Sequence, residues 1–447
     1  MAEHTGVIET DAPVLLQSGI SDLRKSFRPQ LQFGVGLALQ KGLPYVLIPF
    51  FLASFGEHTY SSYVLFSATT LMFTNLVALA IPNAIIPFWH SESDKPVLSW
   101  TVLQMLVVSQ IGLSLIAAVG LFHIYRQSFG RNAAVSLVLL GLVLAMLANF
   151  NVFLTGVCRA RQRSGSFLRA QLFAGVLFVI TTVLLGKQQK LEVLIALFLL
   201  FLFCQNAYLL GSLAPYLRET RRLFDRAMAK RVLEYSLPLL PHLMATAFYF
   251  WVDKYLVERH FAASQFSQFV VSFQYAYAQA FVSQAFAMYT FPLFCQLVVE
   301  KQDAKLRSVV HTYNLIYAGL GILWVAGLLI LQSLGVPLKI NRTGFLILGA
   351  AFVLWNVASN YTNVLWARFR TSAVTLVMIA AGGILLAMLG LGCWMHLFVL
   401  CYLSHLGWAF FTLLGLIWLE HDQRKQSGTP EQVAGASTLQ WTHPEGI

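Results

Sequence analysis

Apolar runs of about 20 residues follow one another through almost the whole chain, and no other feature narrows the fold so far. A run of that length spans the hydrocarbon core of a bilayer as an α-helix. Backbone groups in hydrocarbon must satisfy one another, which leaves helices or closed barrels. Continuous apolar runs, not alternating ones, select helices. The runs fall at 31–54, 62–87, 100–124, 133–156, 167–186, 191–214, 235–257, 266–294, 312–335, 343–366, 372–394 and 396–419, twelve in all. No polar stretch between them is long enough to hold a soluble domain. The chain is 57% hydrophobic and 11% charged, with a mean hydropathy of +0.67.

The formal charge of +11 would point to nucleic acid in a soluble protein. Here the basic residues sit between apolar runs, so topology explains them better. With the N-terminus inside, inner segments carry Arg24, Lys25, Arg28, Lys95, the group Arg159–Arg169, the group Arg218–Arg231, Lys301, Lys305, Arg307, Arg368, Arg370, Arg424 and Lys425. Outer loops carry Arg126, Arg131, Lys187, Lys190, Arg259, Lys339 and Arg342. The bias is roughly three to one and places both termini in the cytoplasm. Five cysteines without CxxC spacing read as reduced packing residues.

The chain divides into a polar tail (1–28), six spans (29–217), a basic connector (218–234), six more spans (235–419) and a polar tail (420–447). In the connector, Leu223, Phe224, Met228, Val232 and Leu233 form an apolar stripe beside a cationic face. That pattern suits a helix lying on an anionic leaflet, or a positive-inside anchor with no further role. The two halves look related. A shift of 206 residues carries Phe55, Tyr60 and Tyr63 onto Phe261, Phe266 and Phe269, and Pro87-Phe88 close to Pro292-Leu293. Arg159-Ala160-Arg161 corresponds to Arg368-Phe369-Arg370 at an offset of 209. Each half has an even number of spans, so the repeats run parallel, related by an axis along the membrane normal, with a cavity between them.

Soluble-enzyme signatures are missing: no GxxxxGK[ST], no HExxH, no paired carboxylates at membrane depth. No catalytic residue, metal site or cofactor is expected. Intramembrane charge remains. Lys41 lies near the middle of the first span, where a lysine costs about 2.5–3.5 kcal/mol to insert, so it should face a wet cavity or a partner. Asp253, alone among the carboxylates, sits deep in an apolar run, with Lys254 beside it. Adjacent helical residues point about 100° apart, so Asp253 is placed toward the cavity or Lys41, with Lys254 snorkelling outward. Gln40, Asn83 and Gln284 are polar positions in spans that could bond a sugar or another helix. Prolines Pro44, Pro49, Pro82, Pro87, Pro238, Pro241 and Pro292 concentrate in spans one, two, seven and eight, where broken helices suit a moving gate. Asn341-Arg342-Thr343 reads as a chance glycosylation sequon.

Around Tyr235-Ser236-Leu237-Pro238-Leu239-Leu240-Pro241-His242, then Val252-Asp253-Lys254 to Phe261 and Phe266, the chain resembles the bacterial polysaccharide/oligosaccharide flippases. These are the Wzx-type members of the multidrug/oligosaccharidyl-lipid/polysaccharide exporter superfamily. Lys41 and the Phe55-Gly56-Glu57 and Tyr60 positions match too, while the usual Gly after span seven is Ala262 or Ala263. The resemblance implies an all-α polytopic membrane protein of twelve helices in two six-helix lobes, with the V shape of MATE transporters. It implies movement of an undecaprenyl-pyrophosphate-linked oligosaccharide across the bacterial inner membrane by alternating access, for polysaccharide synthesis. Lys41, Lys254, Gln40, Gln284 and Asn83 would bind cargo; Asp253 would couple an ion or lock the lobes. A polymerase and a chain-length regulator are the implied partners, beside membrane lipid. A multidrug or small-solute cation-coupled antiporter on the same fold is the alternative. A membrane glycan polymerase or ligase is disfavoured, since no outer loop is large enough.

Overall fold

The computed structural model describes residues 31–91, 94–188, 190–219, 224–368 and 370–427. The N-terminal tail and residues 428–447 therefore lie outside the described residues, whereas 420–427, expected in the polar tail, continue the last helix. Everything regular among those described is helical. The helices are α1 (Leu31–Phe55), α2 (Glu57–Ala78), α3 (Ile85–Ser91), α4 (Lys95–Phe129), α5 (Arg131–Ala160), α6 (Ser164–Leu185) and α7 (Leu191–Glu219) in the first half. The second half has α8 (Arg226–His260), α9 (Ala263–Tyr277), α10 (Gln279–Val299), α11 (Asp303–Ser333), α12 (Arg342–Ala367), α13 (Thr371–Trp394) and α14 (Phe398–Ser427).

Among the described residues, ten helices are long and apolar enough to cross a membrane. Their outer faces carry Val108, Leu115, Ile116, Leu184, Leu323 and Leu376, each at least 60% exposed. Such a continuous apolar exterior is stable only against lipid. The chain is an all-α, multi-pass membrane protein. The seventh and eighth expected spans are helical but more polar. The seventh, inside the 35-residue α8, carries Ser236, His242, Asp253 and Lys254. The eighth breaks at Ala278 into α9 and α10. Both line the space between the lobes, which explains their polarity.

The helices most interrupted are those rich in proline. α1 contains a π turn over Ala38–Gly42 and an untwisted residue at Leu47, beside Pro44 and Pro49. After α2, Leu79 and Ala80 both have positive φ, 50° and 57°, before Pro82 opens a short 3₁₀ turn. Two consecutive left-handed residues without glycine persist only where surrounding packing holds them. Helix starts are capped: Asp225 accepts from the amides of Ala227 and Met228 at 2.8 and 3.1 Å. Asn341 accepts from Gly344 N–H at 2.9 Å, so the sequon asparagine serves as an N-cap.

The two halves pack alike. α4 lies on α5, α6 on α7 and α5 on α7; α11 lies on α12, α13 on α14 and α12 on α14. At their meeting line Ser61 Oγ and Ser267 Oγ are 3.1 Å apart, and these residues are separated by 206 positions. A residue touching its own repeat counterpart marks a pseudo-two-fold axis. The described part of the connector is mostly helical. From Arg226 onward it is the first part of α8, and Met228, Ala229 and Val232 are buried in one core with Trp89, Val102 and Leu217. Of the expected stripe, Met228 and Val232 pack on protein, whereas Phe224 stays exposed and Leu223 lies outside the described residues.

The core shows how the lobes join. At the end carrying Phe55, Tyr60 and Phe266, a single buried cluster runs from Phe51 and Phe178 across to Phe269, Phe345 and Tyr402. At the opposite end the cores are separate, one around Ile85, Leu98 and Val232, another around Phe294, Leu306 and Val364.

Candidate functional site

A cavity of about 330 Å³ lies between the lobes. α1 contributes Gln40, Lys41 and Tyr45; α2 contributes Tyr60, Tyr63 and Ser67; α7 contributes Phe198. Across from them stand Phe250 and Lys254 of α8, Phe273, Gln274 and Tyr277 of α9, and Phe281 of α10. Among the described residues, no carboxylate lines it.

Lys41 sits in the π turn of α1, where one extra residue per turn shifts the side chains that follow. Its ammonium donates to Gln284 Oε1 at 2.7 Å, a hydrogen bond from one lobe to the other. Tyr45, one turn on, packs its ring against Phe281 at 4.6 Å between centroids. Gln40, its neighbour, turns into the first lobe. Its Nε2 donates to Asn151 Oδ1 at 2.6 Å and to Gln205 Oε1 at 3.2 Å. Asn151 in turn donates to Gln205 and Asn206. This carboxamide cluster holds the π turn against α5 and α7.

The Asp253–Lys254 pair is arranged differently from the snorkelling expectation. Both side chains are buried, at 0% and 2% exposure. Lys254 folds back on its own helix, so the 100° between neighbours is spanned by its four-carbon stem. Nζ lies 3.2 and 3.1 Å from the two carboxylate oxygens and 2.8 Å from Phe250 O. It also sits 3.6 Å from the centre of the Phe273 ring, a cation–π contact. His405 of α14 completes the group, its Nε2 3.0 Å from Asp253 Oδ2. Because a carboxylate offers only lone pairs, that nitrogen carries the proton. Asp253 therefore pairs with Lys254 and His405, and not with Lys41. Asn83 stands apart, exposed in the turn after α2, its amide 3.3 Å from Ala80 O.

One mouth of the cavity is shut. Besides the serine pair, Glu57 meets Lys339 of the α11–α12 loop at 3.2 Å. Gln127 Oε1 accepts from Tyr255 Oη at 2.6 Å and Arg259 Nη2 at 3.1 Å.

No protein-family model and no curated protein sequence matches the chain. Solved structures do match. An outward-facing multidrug resistance MATE family transporter of the MOP superfamily superposes with a TM-score of 0.63 at 12% identity, covering 90% of this chain and 96% of that one. Its inward-facing counterpart gives 0.57 at 13% identity with the same coverage. A MOP superfamily transporter from Pyrococcus furiosus, in which reverse polarity of the binding pocket suggests a different function, gives 0.58 at 13% identity, again over 90% and 96%.

The fold is that of the MATE transporters. The likeness extends to both conformations of that fold, so the local contacts describe which mouth is shut here. Most of the cavity residues belong to the helices at the junction of the lobes, α1, α2, α8 and α9, with Phe198 from α7 and Phe281 from α10. Sequence reasoning missed His405 and the amides Asn151, Gln205 and Asn206. Their polarity inside apolar runs was the available signal; their partners, up to 165 residues away, were not.

Proposed function

We propose that the protein is a flippase that carries an undecaprenyl-pyrophosphate-linked oligosaccharide across the bacterial inner membrane for polysaccharide synthesis. The observation that supports this reading is Lys41. Asp253 is already matched by Lys254, so Lys41 stands as a positive charge in a cavity lined by no described carboxylate. Attraction to a pyrophosphate is stronger in such a low-dielectric cleft than in bulk water. Tyrosines and carboxamides along the wall offer hydroxyl and amide partners to sugars. The lipid tail stays in the bilayer while the head group crosses.

With both termini in the cytoplasm, the shut mouth faces outward and the split cores face inward. The captured state is then ready to load from the cytoplasmic leaflet. Rocking about the serine axis would break the Glu57–Lys339 and Gln127 contacts and release the head group outside. The likeness to multidrug transporters favours a second reading, an antiporter for small solutes. An organic cation would meet Lys41 unfavourably, and this makes it the weaker choice.

Lys41→Ala in a strain lacking its own flippase tests the proposal. Glycan export should fall below detection at normal protein level, with drug susceptibility unchanged. Export at the wild-type rate would overturn the role of Lys41, and restored drug resistance would favour the antiporter.

A further inference from the structure

A second cavity, of about 290 Å³, lies within the second lobe, where α10, α11 and α12 meet. Its α11 residues, Tyr317 to Trp324, and Asn356 of α12 fall near the middle of their helices, which sets it at mid-bilayer depth. α11 is the least covered of the ten candidate spans. Leu320 and Leu323 line the cavity and are exposed on the outer apolar face. The cavity therefore opens toward lipid tails.

Its interior is polar. Gln279, the first residue of α10, is 3% exposed. Its Nε2 donates to Gly349 O at 3.0 Å. A carbonyl only accepts, so this bond fixes the direction of the carboxamide. Oε1 points the other way and has no hydrogen-bond partner among the described residues. It lies against Gly321, where an added Cβ would come 2.5 Å from it. Gly321 lines the cavity, so the open acceptor stands at the cavity wall. Asn356 is also buried. Ser283 Oγ donates to its Oδ1 at 2.8 Å, which leaves Nδ2 without a partner among the described residues. Trp324 offers only its ring, because Nε1 donates to Tyr275 O at 2.8 Å. Among the described residues, no charged side chain lines the cavity.

These features restrict the occupant. A buried acceptor without a donor is unfavourable, so the occupant must bring an O–H or N–H. An ionised head group would lose its hydration at this depth and meet no countercharge. Water alone would suit the amides but not the side made by Leu320, Leu323 and Trp324. A neutral hydroxyl on an apolar chain suits both, since it donates to Gln279 Oε1 and accepts from Asn356 Nδ2.

We infer that this cavity is a lateral site for an uncharged long-chain alcohol that enters from the bilayer. The inference is independent of what the cleft between the lobes carries. The site bears on that cleft through the first turns of α10, which stand between the two cavities. Gln279 and Ser283 face the lateral one, while Phe281 lines the cleft and Gln284 accepts from Lys41 at 2.7 Å. An occupant braces the helix that carries this bond between the lobes.

The test titrates purified full-length protein in detergent micelles by native mass spectrometry. The probes are farnesol, 1-dodecanol and the methyl ether of farnesol, which keeps the chain and the oxygen but cannot donate. Wild type should hold one molecule of alcohol and should bind the ether about tenfold more weakly, because the ether leaves the acceptor of Gln279 open. Leu320→Trp fills the rim without touching either amide and should abolish binding. Leu376→Trp, on the exposed face of α13, should leave it intact. Gln279→Met should bring alcohol and ether to equal affinity. A preference for farnesol over dodecanol assigns the site to isoprenoid alcohols, and equal binding of the two assigns it to lipid alcohols in general. No alcohol bound at saturation, ether bound as tightly as alcohol by wild type, or binding that survives in folded Leu320→Trp overturns the inference. Each of these results leaves the flippase reading standing.

Discussion

Removing the Asp253 carboxylate should destabilise the second lobe through the lysine left behind. In the native structure Lys254 is 2% exposed and Asp253 is fully buried. The ammonium has both carboxylate oxygens within 3.2 Å, the Phe250 carbonyl at 2.8 Å and the Phe273 ring at 3.6 Å. Asp253→Ala removes the only countercharge among the described residues and leaves the carbonyl and ring. Breaking a buried ion pair from one side costs about 3–5 kcal/mol, and the cation–π contact was present before the change, so it offsets none of this. His405 Nε2 also loses its acceptor, adding about 1–3 kcal/mol if it stays buried and unpaired. Asp253→Asn keeps the shape and one acceptor oxygen but sets an NH₂ against a donor, a smaller loss. Asp253→Asn with Lys254→Met removes both charges at nearly constant volume and should recover most of the stability, since apolar replacement of a buried pair is often neutral or favourable. Thermal unfolding in detergent, followed by tryptophan fluorescence, should rank Asp253→Ala lowest, Asp253→Asn next, and the double variant near wild type. A double variant no more stable than Asp253→Asn would refute the argument, because the penalty would then not arise from an uncompensated lysine.

Two further outcomes follow from local geometry. Ser61 Oγ and Ser267 Oγ are 3.1 Å apart, so cysteines at both positions should form a disulfide under mild oxidant and hold that mouth shut. Transport should stop on oxidation and return with reductant; full transport in a quantitatively cross-linked sample would show that this mouth need not open. At Gly382 an added Cβ would fall on the Tyr249 ring, whereas at Gly383 it would meet open space. Gly382→Ala should therefore lower stability by about 1–3 kcal/mol through overpacking, and Gly383→Ala should be neutral or stabilising. Melting curves of the two variants check this, and equal effects would contradict the placement of Tyr249.

The features legible in the sequence are those that depend on position along the chain. Apolar length announces a span because hydrocarbon thickness sets it, and the repeat shows because aromatic residues at a constant offset mark equivalent turns. The same offset joins Ser61 and Ser267 at the axis. What stayed hidden depends on which way a side chain turns and on what it meets. Lys254 reads as a snorkelling lysine until its stem is seen curling back to Phe250 O, and nothing near Asp253 in the chain announces His405, 152 residues away. Asn83 looks like a cavity residue by depth, yet the left-handed turn at Leu79 and Ala80 bends it onto its own backbone. The two arginines make the point most sharply. Arg159 and Arg368 stand at matching places in matching motifs, and topology assigns both to the same side of the membrane. Only the tertiary neighbours show that Arg368 braces helices, because the acids that neutralise it come from α11 and α14, one of them 52 residues away. A charge in a membrane protein is thus defined by its partners as much as by its place in a span.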